Sequence, residues 1–149
     1  MELVYLWVDK YKNIEKQGFN FSPRFRCEYD EEKNELTINE NKDYVSIFPK
    51  NINITAIVGE NGSGKSSIIK LILMLIFYKK YNDTSAYPNE ITMLKQELEN
   101  KALFLIINTR DGYKKICLNT DINNSSVTEL DNANIDFYSI YFSYMLDTL

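Results

Sequence analysis

The residues best suited to chemistry are glycine, lysine and serine at a fixed spacing in residues 59–66, which read GENGSGKS. They match the Walker A pattern of glycine, four free positions, glycine, lysine and serine. Glycines let the backbone turn sharply and approach an anion, and the amide N–H groups of such a turn, continued by a helix N-terminus, hold phosphate. The spacing therefore predicts a nucleotide-phosphate loop. The alternative is a glycine-rich turn without function.

Two side chains of this loop have expected roles towards a nucleoside triphosphate. Lys65 would bring its positive charge to the β- and γ-phosphate oxygens, and Ser66 would offer its hydroxyl to Mg²⁺. The guanine-reading pattern Asn-Lys-x-Asp does not occur in the sequence. ATP and Mg²⁺ are therefore the expected cofactors.

The elements on either side of the loop are expected to position it. Residues 66–78 predict the helix that the loop opens, and residues 68–77 within it are apolar on nearly every side except at Lys70. A helix of this kind must be covered on most sides. The apolar residues before the loop predict a buried strand that ends at it: Ile52, Ile54, Ala56, Ile57 and Val58.

The remainder of the chain predicts mainly antiparallel strands. Before the loop, we expect a first strand, a turn, a stretch leading towards a second strand, and a hairpin with alternating apolar residues: 3–8, 11–14, 18–22, and 25–29 with 35–39. After it, we expect a polar connector at 81–87, a helix opened by Pro88 and a hairpin turning at Asp111-Gly112 between 102–108 and 113–118. The last predictions are an exposed loop over 119–134 and a final strand over 135–143.

Composition limits the classes of function. The 149 residues are 44% apolar, which suits one folded domain, and the net charge of −4 gives no general attraction for nucleic acid. The absence of histidine excludes histidine-based catalysis and histidine-ligated zinc. Cys27 and Cys117 lack metal-site spacing, so we expect two buried free thiols rather than a disulfide or a metal site. Without a targeting segment or a membrane-spanning stretch, a soluble, cytoplasmic protein is expected.

The order of these features resembles the ATP-binding head of ABC-type ATPases, in particular the branch that contains SMC proteins, RecF and the overcoming-lysogenization-defect (OLD) nucleases. The loop with Asn61 before Gly62 is similar to that branch's G-x-N-G-S/A-G-K-S/T form, and residues 11–14, YKNI, look like its opening motif after the first strand. The resemblance implies an α/β fold: a P-loop NTPase, with an ABC-type lobe whose antiparallel β-subdomain precedes the Walker A strand, loop and helix.

The resemblance also implies roles for individual residues. Lys12 and Asn13, just after the first strand, become candidates for phosphate or ribose contacts, with a solvated turn as the alternative. Ser67 would donate a hydrogen bond to the α-phosphate, whereas Glu60 is expected to be a solvent-facing spacer. The residues expected to wrap the triphosphate are Gly59, Glu60, Asn61, Gly62, Ser63, Gly64, Lys65, Ser66 and Ser67.

The chain departs from this family in the parts that hydrolyse ATP. It contains no apolar strand ending in Asp-Glu, no Leu-Ser-Gly-Gly signature and no switch histidine, and it therefore has no predicted catalytic residue. We expect residues 1–149 to be a single partial ATP-binding domain, the N-terminal lobe of a larger ATPase that continues beyond Leu149 to Walker B. The alternative is that a partner chain supplies these parts.

Two functions remain open at this point. One is an ATPase head that dimerises with a second copy when ATP binds and acts on DNA in repair or phage defence. The other is a nucleotide-binding interaction module that switches a partner without hydrolysing ATP, and the absent Walker B favours it for the isolated chain. A small-molecule or nucleoside kinase is a weaker third reading, because no arginine is placed to form a lid over an acceptor.

Overall fold

The computed structural model describes residues 2–49, 52–81 and 88–130. Within them it contains seven strands and two helices: β1 Glu2–Tyr11, β2 Ile14–Asn20, β3 Phe25–Asp30, β4 Glu35–Glu40, α1 Lys65–Tyr81, α2 Pro88–Leu98, β5 Leu103–Thr109, β6 Gly112–Leu118 and β7 Val127–Glu129. The described part is therefore a mixed α/β structure, as the sequence predicted at this level.

Five of the strands form one sheet in the order β2-β1-β5-β6-β7. All neighbours are antiparallel except β6 and β7, which are parallel. Strands β3 and β4 form a separate antiparallel hairpin. Sheet, hairpin and helices make three layers, with the sheet in the middle and an apolar cluster on each of its faces.

Strand β5 shows why the sheet is buried on both faces. Leu103, Leu105 and Ile107 belong to the cluster that contains the helix residues, whereas Phe104 and Ile106 belong to the cluster under the β3–β4 hairpin. Successive side chains of a strand point to opposite faces, so a strand covered on both faces is apolar without alternation. All five side chains are at most 2% exposed.

Helix α1 packs one of its sides against the sheet. Leu71 and Leu75 are fully buried in the helix-side cluster, while Ile69, on another side of the same helix, remains 38% exposed. Helix α2 adds Leu98 to that cluster. The expectation that α1 is covered on most sides is thus met on its sheet-facing side within the described residues.

Most predicted elements are confirmed with shifted ends. The two hairpins form as predicted, and Gly112 at the turn of the second has a φ of 100°, which glycine adopts without strain. The second strand, β2, begins at Ile14, earlier than the sequence suggested, because it pairs with β1 directly after the turn at residues 12–13.

Two predictions need correction. The buried strand over 52–58 is wrong, because these residues form no strand and Val58 is 90% exposed. A strand requires a neighbour for its hydrogen bonds, and no described strand pairs with this segment. The loop over 119–134 is not wholly exposed, since it includes the short strand β7 and the buried side chains of Ile122 and Leu130.

Other predictions lie outside the described residues. They are most of the connector at 81–87 and the last strand at 135–143. Among the described residues, no helix is long and apolar enough to cross a membrane.

Candidate functional site

The backbone of the loop depends on glycine at two positions. Gly62 and Gly64 have φ angles of 83° and 97°, in the left-handed region where other residues are strained. At Gly64 a β-carbon would also lie 3.3 Å from Oδ1 of Asn13, so the loop and the preceding β1–β2 turn are in close contact. The glycine spacing that predicted the loop thus corresponds to a real conformational need.

The loop leads directly into the first turn of α1. The backbone N–H of Ile68 donates to the carbonyl oxygen of Gly64 at 3.0 Å, which is the first hydrogen bond of the helix. The first N–H groups of a helix have no partner within it and carry partial positive charge. No acidic side chain occurs in this first turn to neutralise that charge. The arrangement suits an anion.

Lys65 is held by the loop itself. Its Nζ donates to the carbonyl oxygens of Gly59 at 2.8 Å and Glu60 at 2.7 Å. The ammonium group thus spans the loop from its last residues back to its first. A bound phosphate would have to replace these two carbonyls as the partners of the lysine.

The two residues of the turn at 12–13 differ in their contact with the loop. The side-chain amide of Asn13 donates to the carbonyl oxygen of Gly62 at 3.0 Å. The ammonium of Lys12 instead lies 5.4 Å from the ring centre of Tyr11. Of the two candidates for nucleotide contact in this turn, Asn13 is therefore in contact with the loop, and its amide supports the loop backbone.

The remaining loop side chains are open to solvent or partly so. Those of Glu60, Asn61, Ser63 and Ser66 are exposed, and that of Ser67 is partly buried. The carbonyl of Glu60 accepts hydrogen bonds from both Ser63 N–H and Lys65, so Glu60 contributes its backbone to the loop. The hydroxyl of Ser66, at the second residue of α1, is accessible to a metal ion.

A polar cluster next to this site was not predicted from the sequence. The hydroxyl of Tyr11 donates to the Glu97 carboxylate at 2.6 Å, and Lys70 donates to the same carboxylate at 2.7 and 3.0 Å. Desolvation raises the pKa of Glu97, but the hydrogen bonds from Lys70 and Tyr11 outweigh it and leave the pKa lowered. The cluster joins the end of β1 to both helices. Its only sequence signal was Lys70, the charge in an otherwise apolar helix.

The two cysteine thiols are weakly acidic, and the arginines at positions 24 and 26 are in ion pairs. Burial raises the pKa of Cys27 and of Cys117 to about 12, so neither is a nucleophile near neutral pH. Both thiols are free, as predicted, but only Cys27 is fully buried and Cys117 is partly exposed. Arg24 pairs with the buried Glu2 and Arg26 pairs with the exposed Glu28, both at 3.1 Å, so each guanidinium already has an acidic partner.

One acidic group elsewhere has the spacing of metal ligands. Ligand atoms of Cys117, Asp121 and Glu129 lie within 4.8 Å of one another. The ammonium of Lys115 pairs with Asp121 and lies 3.9 Å from Glu129, so a positive charge already occupies this group. The positive charge of Lys115 is sufficient to account for the two carboxylates lying so close together.

Comparison with known proteins gives one match. A family model described as an AAA domain matches residues 45–143, a range that includes the whole loop and α1. No curated protein and no solved structure matches the chain.

Proposed function

The chain belongs to the AAA domain family, a family of P-loop ATPase-like proteins, and from that premise we propose that residues 59–67 bind Mg-ATP. Three features support the proposal: two glycines with left-handed φ angles, the acid-free N-terminus of α1, and the ammonium of Lys65 at the mouth of the loop. Together they offer N–H groups and one positive charge to a phosphate chain.

The observation that carries this proposal is the position of the Lys65 ammonium. It lies 2.8 Å from the Gly59 carbonyl and 2.7 Å from that of Glu60. These neutral carbonyls are weaker partners for an ammonium than phosphate oxygens, because the negative charge of a phosphate adds Coulomb attraction to the hydrogen bond. We infer that the ammonium leaves the carbonyls for the β- and γ-phosphates, and that Ser66 then ligates Mg²⁺.

The parent activity that best suits this site is that of an SMC/OLD-like ATPase head. ATP would join two copies of the head, hydrolysis would separate them, and the assembly would act on DNA in repair or phage defence. The loop form with Asn61 and the preceding antiparallel strands support this reading. The rest of the head, or a second subunit, would provide the groups that activate water.

A binding module that switches a partner without hydrolysis is the second candidate. One observation favours it for this chain: within the described residues, no apolar strand ends in the Asp-Glu pair that would hold Mg²⁺ and activate water. Turnover by the chain tests both readings together, because each of them expects intact binding with negligible hydrolysis.

Calorimetric titration with Mg-ATP tests the binding site. We expect Lys65→Ala to lose most of the affinity, since removing one partner of a charge pair typically costs ~2–5 kcal/mol, or about 30-fold and more. Lys95→Ala removes the same charge from an exposed position on α2 and should bind like the wild type. Equal affinity in Lys65→Ala and wild type would refute the proposed phosphate site.

A further inference from the structure

One carboxylate on α2 holds the end of β1 to the helix that the phosphate loop opens. Glu97 accepts a hydrogen bond from the Tyr11 hydroxyl at 2.6 Å, and it accepts two from the Lys70 ammonium at 2.7 and 3.0 Å. Tyr11 is the last residue of β1, and Lys70 lies in α1, which begins at Lys65. The carboxylate therefore connects a strand end to the element that carries the lysine of the loop.

The strand end is connected to the loop by the turn that follows it. Tyr11 pairs with Ile14 across this turn, so only two residues lie between them. The side-chain amide of Asn13 donates to the carbonyl oxygen of Gly62 at 3.0 Å. Asn13 and Ile14 each have a side-chain atom 3.3 Å from the position of a β-carbon at Gly64. The turn thus contacts the loop two residues after it is attached to α2.

The conformation of the turn depends on the contacts around it. Lys12 has a φ of 54°, in the left-handed region where a residue other than glycine is strained. Such a residue keeps its conformation only where the surrounding structure holds it. Tyr11 on one side is 2% exposed and donates to Glu97, whereas Asn13 on the other side is exposed and donates to the loop. The buried Tyr11 is therefore the firmer of the two attachments.

The charge of Glu97 strengthens this attachment. Desolvation raises the pKa of Glu97, but the hydrogen bonds from Lys70 and Tyr11 leave the pKa below its usual value, so the carboxylate is ionised at neutral pH. An ionised carboxylate accepts hydrogen bonds from several donors at once, and its hydrogen bonds are stronger than those between neutral groups. The contact of Asn13 with Gly62 is of the weaker, neutral kind.

We propose that Tyr11 and Glu97 are positioning residues of the nucleotide site, and that they act on the phosphate loop through Asn13. The proposal rests on the function proposed above, the binding of Mg-ATP by residues 59–67. Without the hydrogen bond between Tyr11 and Glu97, the strained turn relaxes and the Asn13 amide leaves the Gly62 carbonyl oxygen more often. The apparent affinity for a ligand falls with the fraction of molecules that have the binding-competent shape. Nucleotide affinity therefore depends on two residues outside the loop.

The first test removes one hydroxyl and measures Mg-ATP affinity by calorimetry. Tyr11→Phe keeps the buried ring but cannot donate to Glu97, and we expect the affinity to fall about threefold or more. Tyr29→Phe is the matched control, because the Tyr29 hydroxyl donates to Asn34 at 2.7 Å in the β3–β4 hairpin, and it should bind like the wild type. Equal affinity in Tyr11→Phe and the wild type would overturn the proposal.

A double-mutant cycle distinguishes action through Asn13 from a general loss of stability. Adding Tyr11→Phe to Asn13→Ala should cause no further loss of affinity, because the contact through which Tyr11 acts is already absent. A role limited to holding the fold together would instead make the two losses multiply. Losses that multiply would therefore overturn the proposal, as would a loss in Tyr11→Phe with none in Asn13→Ala.

Glu97→Ala examines the same hydrogen bond from its acceptor. We expect a loss of Mg-ATP affinity at least as large as that in Tyr11→Phe, and no further loss when both changes are combined. Glu97→Gln keeps an acceptor oxygen and should lose less affinity than Glu97→Ala. Wild-type affinity in Glu97→Ala would contradict the role of the carboxylate.

A measurement without nucleotide separates this proposal from the binding of Mg-ATP. In nitrogen–proton correlation spectra, the side-chain amide signal of Asn13 and the backbone signal of Gly62 should shift in Tyr11→Phe and stay in place in Tyr29→Phe. Unchanged signals in Tyr11→Phe would overturn the proposed link to the loop, even where the wild type binds Mg-ATP. Shifted signals in a protein that does not bind Mg-ATP would support the link and refute the proposed function instead.

Discussion

The side-chain amide of Asn13 donates a 3.0 Å hydrogen bond to the carbonyl oxygen of Gly62, which joins the turn after β1 to the middle of the phosphate loop. Gly62 has a φ of 83°, and residues on either side of it are exposed. The contact is one of the hydrogen bonds that hold the loop in shape, together with those of Lys65 and Ser63. We infer that Asn13 positions the loop before a nucleotide arrives.

Replacing Asn13 should weaken nucleotide binding without unfolding the protein. A net hydrogen bond is worth ~0.5–1.5 kcal/mol, so Asn13→Ala should reduce Mg-ATP affinity by about 2- to 12-fold. Asn39→Ala removes the same group from an exposed position on β4 and serves as the control. Calorimetry measures both affinities. Identical affinities would mean that the Asn13 contact has no part in binding.

Two glycines have nearly equal φ angles, but only one of them lies in the proposed site. Replacing each in turn therefore separates the effect of backbone strain from the effect of a changed site geometry. Gly64 and Gly112 have φ of 97° and 100°, but a β-carbon would contact Asn13 only at Gly64. Each change to alanine should lower the free energy of unfolding by about 1–2 kcal/mol, the cost of a left-handed residue. Chemical denaturation measures this loss.

Nucleotide affinity should then distinguish the same two variants. Gly64→Ala crowds Asn13 and strains the residue directly before α1, and we expect at least a tenfold loss of Mg-ATP affinity, or ~1.4 kcal/mol. Gly112→Ala alters a hairpin turn with open space around it and should leave the affinity unchanged. A similar loss in both variants would show that binding follows general stability.

The hydroxyl of Ser66 should matter only through the metal. Ser66 is exposed at the second residue of α1, where it is free to ligate Mg²⁺ beside the proposed phosphate position. We expect Ser66→Ala to bind ATP like the wild type in EDTA and to lose the gain in affinity that Mg²⁺ gives the wild type. Titrations with and without Mg²⁺ measure this difference. An equal loss in EDTA would contradict a metal role.

The sequence predicted the parts of the site that depend on local spacing. Gly62, Gly64 and Lys65 lie in one eight-residue pattern, and the helix after them follows from the apolar run. The contact of Asn13 with Gly62 spans 49 positions and that of Tyr11 with Glu97 spans 86, so no local pattern could place them.

The wrong strand at 52–58 has a related cause. Apolar composition indicates that a segment will be buried, but a strand forms only where another strand supplies its hydrogen bonds. Val58, at 90% exposure, has the predicted residue type without the predicted neighbour. Local sequence describes the preference of such a segment, and tertiary pairing decides the outcome.

The Glu97 cluster predicts a dependence of stability on pH. Desolvation raises the pKa of Glu97, but the hydrogen bonds from Lys70 and Tyr11 leave it below the usual value of 4.5. The folded protein therefore releases this proton at a lower pH than the unfolded chain. The resulting stability is present above pH 4.5 and is lost as the pH falls through the lowered pKa.

Glu97→Gln removes this dependence while keeping the size of the side chain. Because the Lys70 and Glu97 side chains are 39% and 35% exposed, solvent screens the pair, and we expect a loss of at most about 1 kcal/mol at pH 7. The difference from wild type, measured by urea denaturation, should shrink as the pH falls below 4.5 and through the lowered pKa of Glu97. Glu28→Gln breaks a pair with Arg26, in which the Arg26 and Glu28 side chains are 80% and 65% exposed, and it should change stability little at pH 7. A difference for Glu97→Gln that stays constant as the pH falls would mean that the carboxylate charge does not hold β1 to the helices.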